Sequence, residues 1–492
     1  MSRFASFLGS AMFCAAIVLA PARSFCDITV ARLFSDHMVL QQLSQVKIWG
    51  TANPNEKVII SFNGQDTSVT ANATGKWEGV LNTPAAGGPY TIEIRAEAGE
   101  PKITLADVLV GEVWICSGQS NMEWPIEKAD SPEREIAGAK DYPNIRLFNV
   151  NHNAVVEPIT DLVNAKGWDV CNPESIRLFS ATAYFFGRRL NQELKIPIGL
   201  VKTTWGGTPA EAWTSREVLE SAPKLKPLLE HWTKNDNAGN PNRPSSLYNG
   251  MISPLKGLKF RGAIWYQGES NAKRAVQYRT IFPLMIEDWR KQLADGEEFP
   301  FYFVQIAPFR YGNNNIDALA ELWDSQTYTY RMVPNTGMVV TTDIAELADI
   351  HPRNKQDVGA RLAGWALAGC YKDKLTEANQ QLVPSGPIYR SKEIRGKEIR
   401  LNFDFVAKGL VAKDNPELNW FTICGPDKKF VPAKAKIDGE QVVVWADEVA
   451  EPQEVRFAWD DSAIPNLFNS EGLPASPFRT DSFPLLSEGE DF

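Results

Sequence analysis

Between residues 107 and 383 the chain alternates short apolar runs with longer helical stretches, and this alternation limits the possible fold more than any other feature. The apolar runs include DVLVGEVWICSG, IPIGLVKTT, GAIWYQG, FYFVQIA and TGMVVTTD, and the helical stretches include SATAYFFGRRLNQEL and NKQDVGARLAGWALAGC. Strand, helix, strand in succession predicts an α/β fold with a parallel sheet covered by helices on both faces. In the second helical stretch Val358, Leu362, Trp365 and Ala366 recur at the spacing of one buried face, whereas Lys355, Gln356 and Arg361 fall elsewhere on the wheel.

The flanks read differently. From Ile28 to about Ala106 short alternating segments such as KVIISFNGQ and YTIEIRAE are separated by turn residues, which predicts an antiparallel β-sandwich of at most about seven strands. Asn63-Gly64 and Gly87-Gly88 supply the positive-φ positions of tight hairpins. Alternating segments return after about Pro384, in KEIRLNFDF, NWFTICG and QVVVWAD. The first 22 residues carry Arg3, an apolar run from Phe4 to Ala20 and small residues at Ala20 and Ala22, the pattern of a secretory signal peptide cleaved after Ala22. An uncleaved anchor is the alternative. The expected organisation is therefore a signal peptide (1–22), an N-terminal β-sandwich domain (23–106), a catalytic domain (107–383) and a C-terminal β-rich domain (384–492). The mature chain is expected to be soluble and exported, periplasmic or extracellular, with no membrane partner.

Composition narrows the chemistry. Sixty acidic against 51 basic residues leave a net charge of -9, so no global basic field draws in nucleic acid. Loss of Cys14 with the signal leaves Cys26, Cys116, Cys171, Cys370 and Cys424, enough for two disulfides at most. There is no C-x-x-C or H-E-x-x-H, and His37, His152, His231 and His351 are scattered, so neither a metal nor any other cofactor is expected.

A strand runs into a polar turn at VWICSGQSNMEW, and Ser120 in that turn is the candidate nucleophile at the sheet's C-terminal edge. Its backbone N–H is also a candidate oxyanion donor. The G-x-S-x-G elbow is incomplete, since Met122 occupies the second Gly position. A serine needs a base, and His351 follows the run MVVTTD with Asp349 two residues before it to orient the imidazole. His37, His152 and His231 read as surface or structural residues. In LVKTTWGGTPAEAW, Gly206 and Gly207 let backbone N–H groups approach a ligand. In GAIWYQGESNA, Gln267 is a candidate oxyanion donor, while Glu269 fixes the loop or contacts sugar hydroxyls. Trp124, Trp205, Trp213 and Trp265 lie beside these motifs and suit either a core or a pyranose face.

Taken together, these residues resemble the sialate O-acetylesterase family of carbohydrate esterases, within the SGNH hydrolase superfamily. The likeness extends from LFSDHMVLQQ and VKIWGTANPNEKV through VGEVWICSGQSNMEWP, TTWGGTPAEAW, WYQGESNA and DIHPRNKQDVGARLA to LPASPFRTD. It implies an SGNH catalytic domain with β-rich accessory domains, acting as a serine esterase on O-acetylated saccharides. It also implies Ser120 as nucleophile, His351 as base, and Ser120, Gly207 and Gln267 as oxyanion donors. Asn121, Trp205 and Glu269 are the candidate substrate contacts. Two positions depart from the wider superfamily: Ala348 stands three before the histidine, where an Asp is usual, and Gln267 lies where an Asn is usual. Asp343 is a reserve acid, and a Ser-His dyad is a third arrangement. A xylan or xyloglucan deacetylase of the same fold and a non-catalytic carbohydrate-binding protein are the competing readings. A sialate calls for a cation to meet its carboxylate, for which Arg310 and Arg353 are candidates.

Overall fold

The structure, a computed structural model, describes residues 28–234, 237–294, 296–311, 317–376 and 379–490. The predicted signal peptide, with Cys14, and also Cys26 lie outside these residues.

The strand and helix alternation closes into one sheet. Its order is Trp168–Val170, Ile145–Asn149, Ile198–Thr204, Lys102–Gly118, Gly262–Tyr266, Phe301–Val304 and Thr336–Val339. Every neighbouring pair is parallel except the edge pair of Trp168–Val170 with Ile145–Asn149. The inner strands Gly262–Tyr266 and Phe301–Val304 are buried along their whole length because both faces are covered. On one face Trp114 packs on Phe186 of helix Ala181–Leu194 and on Tyr302, with ring centroids 5.1 and 5.9 Å away. On the other, Trp265 packs on Phe282 and Trp289 of helix Ala275–Leu293, at 6.4 and 5.7 Å. Truncating either buried indole to Ala would cost about 3–5 kcal/mol.

Helix Lys355–Cys370 buries Val358, Leu362, Trp365 and Ala366, the predicted face. Lys355 departs from the prediction: it is fully buried, because the first turn of this helix runs beneath the residue that follows Ser120.

The N-terminal β region does not stop where the central sheet begins. Lys102–Gly118 pairs antiparallel with Gly87–Ala96 over its first half and joins the parallel sheet over its second, so one strand serves both. Asn63 and Gly64, at φ 50 and 75, make the hairpin between Lys57–Phe62 and Gln65–Thr70, as their sequence requires. Gly87-Gly88 does not make a hairpin turn. It lies within a strand at a register shift, where a Cβ on Gly88 would press on Val108 O and Leu109 at 3.0 Å.

The C-terminal strands enclose a second hydrophobic cluster around Ile399, Phe421, Val442 and Phe457. This region is held to the central part by Arg479 on Asp324 at 3.2 Å and by Gln305 Nε2 donating to Ser476 Oγ at 3.1 Å. Cys116, Cys171, Cys370 and Cys424 are free thiols, so the possible disulfides do not form among the described cysteines. Among the described residues no helix is long and apolar enough to cross a membrane.

Candidate active site

Lys102–Gly118 is the first strand of the sheet in chain order but lies inside it, with Ile198–Thr204 on one side and Gly262–Tyr266 on the other. Successive crossovers therefore leave in opposite directions, which opens a crevice at its C-terminal end. The strand leaves the sheet through Gly118, at φ +140, where an added Cβ would lie 2.2 Å from Tyr266 O. Only glycine fits such a backbone. Gln119 N–H donates to that same carbonyl at 3.0 Å, and Ser120 opens the short helix Ser120–Glu123. Its N–H is one of the donors that a helix N-terminus leaves without an intrahelical partner.

The structure brings Ser120 and His351 together across 231 residues of chain, with Oγ 2.9 Å from Nε2. Accepting the hydroxyl proton at Nε2 requires the tautomer protonated on Nδ1, the nitrogen that lies 3.6 Å from Asp349 Oδ1. That separation is too long for a strong hydrogen bond. Asp349 instead accepts the His351 backbone N–H at 2.9 Å, so it orders the loop and acts on the ring by charge. Asp343, the reserve acid, is bound bidentately by Arg361 at 2.8 and 2.6 Å, which engages both of its carboxylate oxygens. Burial pushes the His351 imidazole down, the charge of Lys355 adds to this, and Asp349 offsets only part, leaving it below its ordinary 6.5.

The Gly206-Gly207 loop lies against Ser120, since a Cβ on Gly206 would stand 3.3 Å from Ser120 Cβ. Gly207 is in the left-handed region, at φ +74. The loop is fixed by Glu123, whose Oε2 accepts the Gly206 N–H at 2.7 Å while Oε1 meets His152 Nε2 at 2.9 Å. Burial pushes the Glu123 carboxyl up, but His152, the Gly206 N–H and Lys202 outweigh it and hold it below the usual range. Glu123→Gln is expected to lower kcat about tenfold with KM little changed, through misplacement of this loop. Saturation kinetics of acetate release check this, and unchanged kcat would dismiss the role.

Several sequence assignments need correction. Gln267 is fully buried, and its amide donates to Asn271 Oδ1 at 2.7 Å and Thr208 O at 3.3 Å, so both hydrogens already have acceptors within the protein. Asn271 Oδ1 also accepts Ala210 N–H at 2.9 Å, which fixes the orientation of both amides. Asn121, expected at the substrate, is 1% exposed, and its side chain is engaged within the protein. Its Nδ2 donates to Glu269 Oε1 at 2.6 Å and to Ile350 O at 3.0 Å, and its Oδ1 accepts from Lys355 at 2.6 Å. Glu269 is partly buried and holds Asn121 through Oε1, which is the loop-fixing role the sequence allows. Burial pushes this carboxyl up, and it pushes the Lys355 ammonium down to about 7.

Two aromatic pairs stand beside the site. Trp124 stacks on His351 at 4.8 Å, and Trp205 stacks on His152 at 4.2 Å. His152 was legible only as a polar loop residue, since nothing in its neighbourhood of the chain points to Glu123. Trp213 and Trp265 are fully buried and belong to the core. Beside the histidine loop a cavity of about 510 Å³ is bordered by Trp124, Lys128, Asp349 and Arg353. Arg310 contributes its backbone N–H to Leu347 O at 3.2 Å.

A mostly parallel α/β sheet with a serine and a histidine in contact at its crevice is the arrangement of a hydrolase. Residues 110–368, more than half of the chain, match the profile of the carbohydrate esterases described as sialic acid-specific acetylesterases, and the chain belongs to that family. The sialate O-acetylesterase of Homo sapiens is 30% identical over 490 residues, covering 91% of each chain, and that of Mus musculus is 29% identical over 510 residues, covering 91% of this chain and 93% of its own. The crystal structure of a carbohydrate acetylesterase from Xanthomonas citri superposes with a TM-score of 0.83 at 37% identity, covering 93% of this chain and 100% of that one. The chain is a carbohydrate O-acetylesterase of the sialate O-acetylesterase type.

Proposed function

We propose that the chain is an exported serine esterase of the SGNH type that removes O-acetyl groups from saccharides, sialates foremost, through an acetyl-serine intermediate. The observation that carries this reading is the 2.9 Å contact between Ser120 Oγ and His351 Nε2 at the switch point of the sheet. The export step rests on the first 22 residues, and the domain division rests on the sequence texture: residues 107–383 as the catalytic unit, with 23–106 and 384–492 as β-rich accessory domains.

In the first half-reaction His351 Nε2 takes the Ser120 proton as Oγ attacks the acetyl carbonyl carbon. The negative charge that develops on the carbonyl oxygen is met by the N–H groups of Ser120 and Gly207. Gln267 joins them only by releasing its long contact to Thr208 O, the weaker of its two hydrogen bonds. Collapse breaks the bond to the sugar oxygen, which leaves as an alcohol with the proton from His351. Water, deprotonated by the same imidazole, then attacks the acetyl-serine and releases acetate. Asp349 stabilises the imidazolium in both halves by charge at 3.6 Å.

The imidazole is active unprotonated. Because its pKa lies below the ordinary 6.5, the acid limb of kcat/KM is expected to have its midpoint below 6.5, and a limb centred above that would contradict the assignment. Substrate class is tested by acetate release from O-acetylated sialic acid, acetylated xylan and acetylated xyloglucan. Preference for the sialate supports the reading, helped by Lys128 and Arg353 beside the cavity. Preference for either hemicellulose replaces it with the neutral-glycan esterase, and release from none of them, with sugar binding retained by wild type and by Ser120→Ala, favours the carbohydrate-binding protein.

A further inference from the structure

We propose that Lys355 is a positioning residue of the esterase reaction, locking Asn121 so that the turn bearing Ser120 and the loop bearing His351 move as one unit. The proposal rests on the roles of Ser120 and His351 given above. Asn121 follows Ser120 directly, and its side-chain amide makes three of its four possible hydrogen bonds: Nδ2 gives both hydrogens, to Glu269 Oε1 at 2.6 Å and Ile350 O at 3.0 Å, while Oδ1 takes one from Lys355 Nζ at 2.6 Å.

The peptide between Ile350 and His351 is thereby held at both ends. Its carbonyl accepts from Asn121, and its N–H donates to Asp349 Oδ1 at 2.9 Å. An amide is nearly symmetric in shape, so only the charges around it decide which way it points. A cation at Oδ1 and a carboxylate at Nδ2 enforce one orientation, and the flipped amide would set Oδ1 against Glu269 and Ile350 O. Removing the cation leaves Oδ1 without that donor, so the amide is held on one side only and its grip on the His351 peptide slackens.

Packing alone does not call for a lysine here. Lys355 is fully buried, with Nζ 5.3 Å from the Tyr266 ring centroid and 5.9 Å from that of Trp124, the ring that stacks on His351. Methionine would fill this space without burying a charge, and such swaps are often neutral or stabilising when the partner charge is removed as well. The ammonium also bears on the base. Lys355 and Lys128 act on His351 to disfavour its protonation, Asp349 acts to favour it, and Glu269, Glu346 and Asp349 face Lys355 in turn.

The test compares the full chain with Ser120→Ala, Lys355→Met, Glu269→Gln and the Lys355→Met/Glu269→Gln double variant, by acetate release across pH and by thermal unfolding. Lys355→Met is expected to lower kcat ~30-fold with KM within about threefold, since the reacting groups are misplaced rather than the sugar lost. Its acid limb is expected to move to higher pH, because a positive charge near His351 is gone. The double variant guards against misfolding, since it leaves no unpaired buried carboxylate, and its kcat is expected to fall below that of Glu269→Gln by the same ~30-fold. Wild-type kcat in Lys355→Met overturns the proposal. So does a Lys355 effect that disappears in the Glu269→Gln background, since the lysine would then only neutralise that carboxylate. An unmoved acid limb overturns it as well. Acetate release retained by Ser120→Ala removes the serine reading itself, an outcome separate from any behaviour of Lys355.

Discussion

Ser120→Ala is expected to reduce acetate release by about a thousandfold or more in kcat while leaving KM and the unfolding midpoint nearly unchanged. The effect is large because attack requires a hydroxyl that the imidazole can deprotonate. Ser120 Oγ is the hydroxyl that His351 Nε2 meets, at 2.9 Å, and the Gly206-Gly207 loop lies against the same residue. What survives would come from the backbone donors, which still stabilise a tetrahedral intermediate formed by water. Stability is spared because the side chain is only half buried and its loss opens no apolar cavity. Near-normal turnover in this variant would sink the assignment of the nucleophile. A fall in turnover with a matching fall in unfolding midpoint would instead point to damage of the turn.

Gly118→Ala is expected to damage both the fold and the reaction. The added methyl would sit 2.2 Å from Tyr266 O and 2.7 Å from its carbonyl carbon, at φ +140, a backbone that L side chains rarely adopt. Backbone strain of about 1–3 kcal/mol adds to an overpacking cost of about 1–3 kcal/mol. Relief requires the turn to move away from Gly262–Tyr266, which breaks the Gln119 N–H bond to Tyr266 O and carries Ser120 with it. Denaturant unfolding should therefore record a loss of about 3 kcal/mol, and kcat should fall about a hundredfold through misplacement of Oγ. Wild-type stability with wild-type kcat would mean that the turn relaxes freely and that its geometry is not what places Ser120.

Much of this was legible in the chain. The alternation over residues 107–383 announced a parallel sheet because crossover connections impose that order, and the Asn63-Gly64 hairpin followed from the need for positive φ. Ser120 and His351 could be picked out because a polar turn after an apolar strand, and a histidine followed by proline after another, are local signals. The seam between the N-terminal β region and the central sheet was not legible. Lys102–Gly118 passes from alternating to continuously buried residues within one strand, so the change of texture near residue 107 reads as a boundary where the backbone runs straight on and only its partners change.

The sequence by itself determined most of the segments that become strands and helices and singled out Ser120 and His351 as the candidate hydroxyl and imidazole, because periodicity and turn chemistry act over a few neighbouring residues. Only the tertiary structure decided that Asn121 is buried and bound to Glu269, that Gln267 is engaged by Asn271, that Asp343 pairs with Arg361, and that Lys355 lies beneath Asn121. The partners of Asn121 come from residues 148, 229 and 234 positions away, so whether its amide meets a sugar, a carboxylate or an ammonium depends on how distant segments pack.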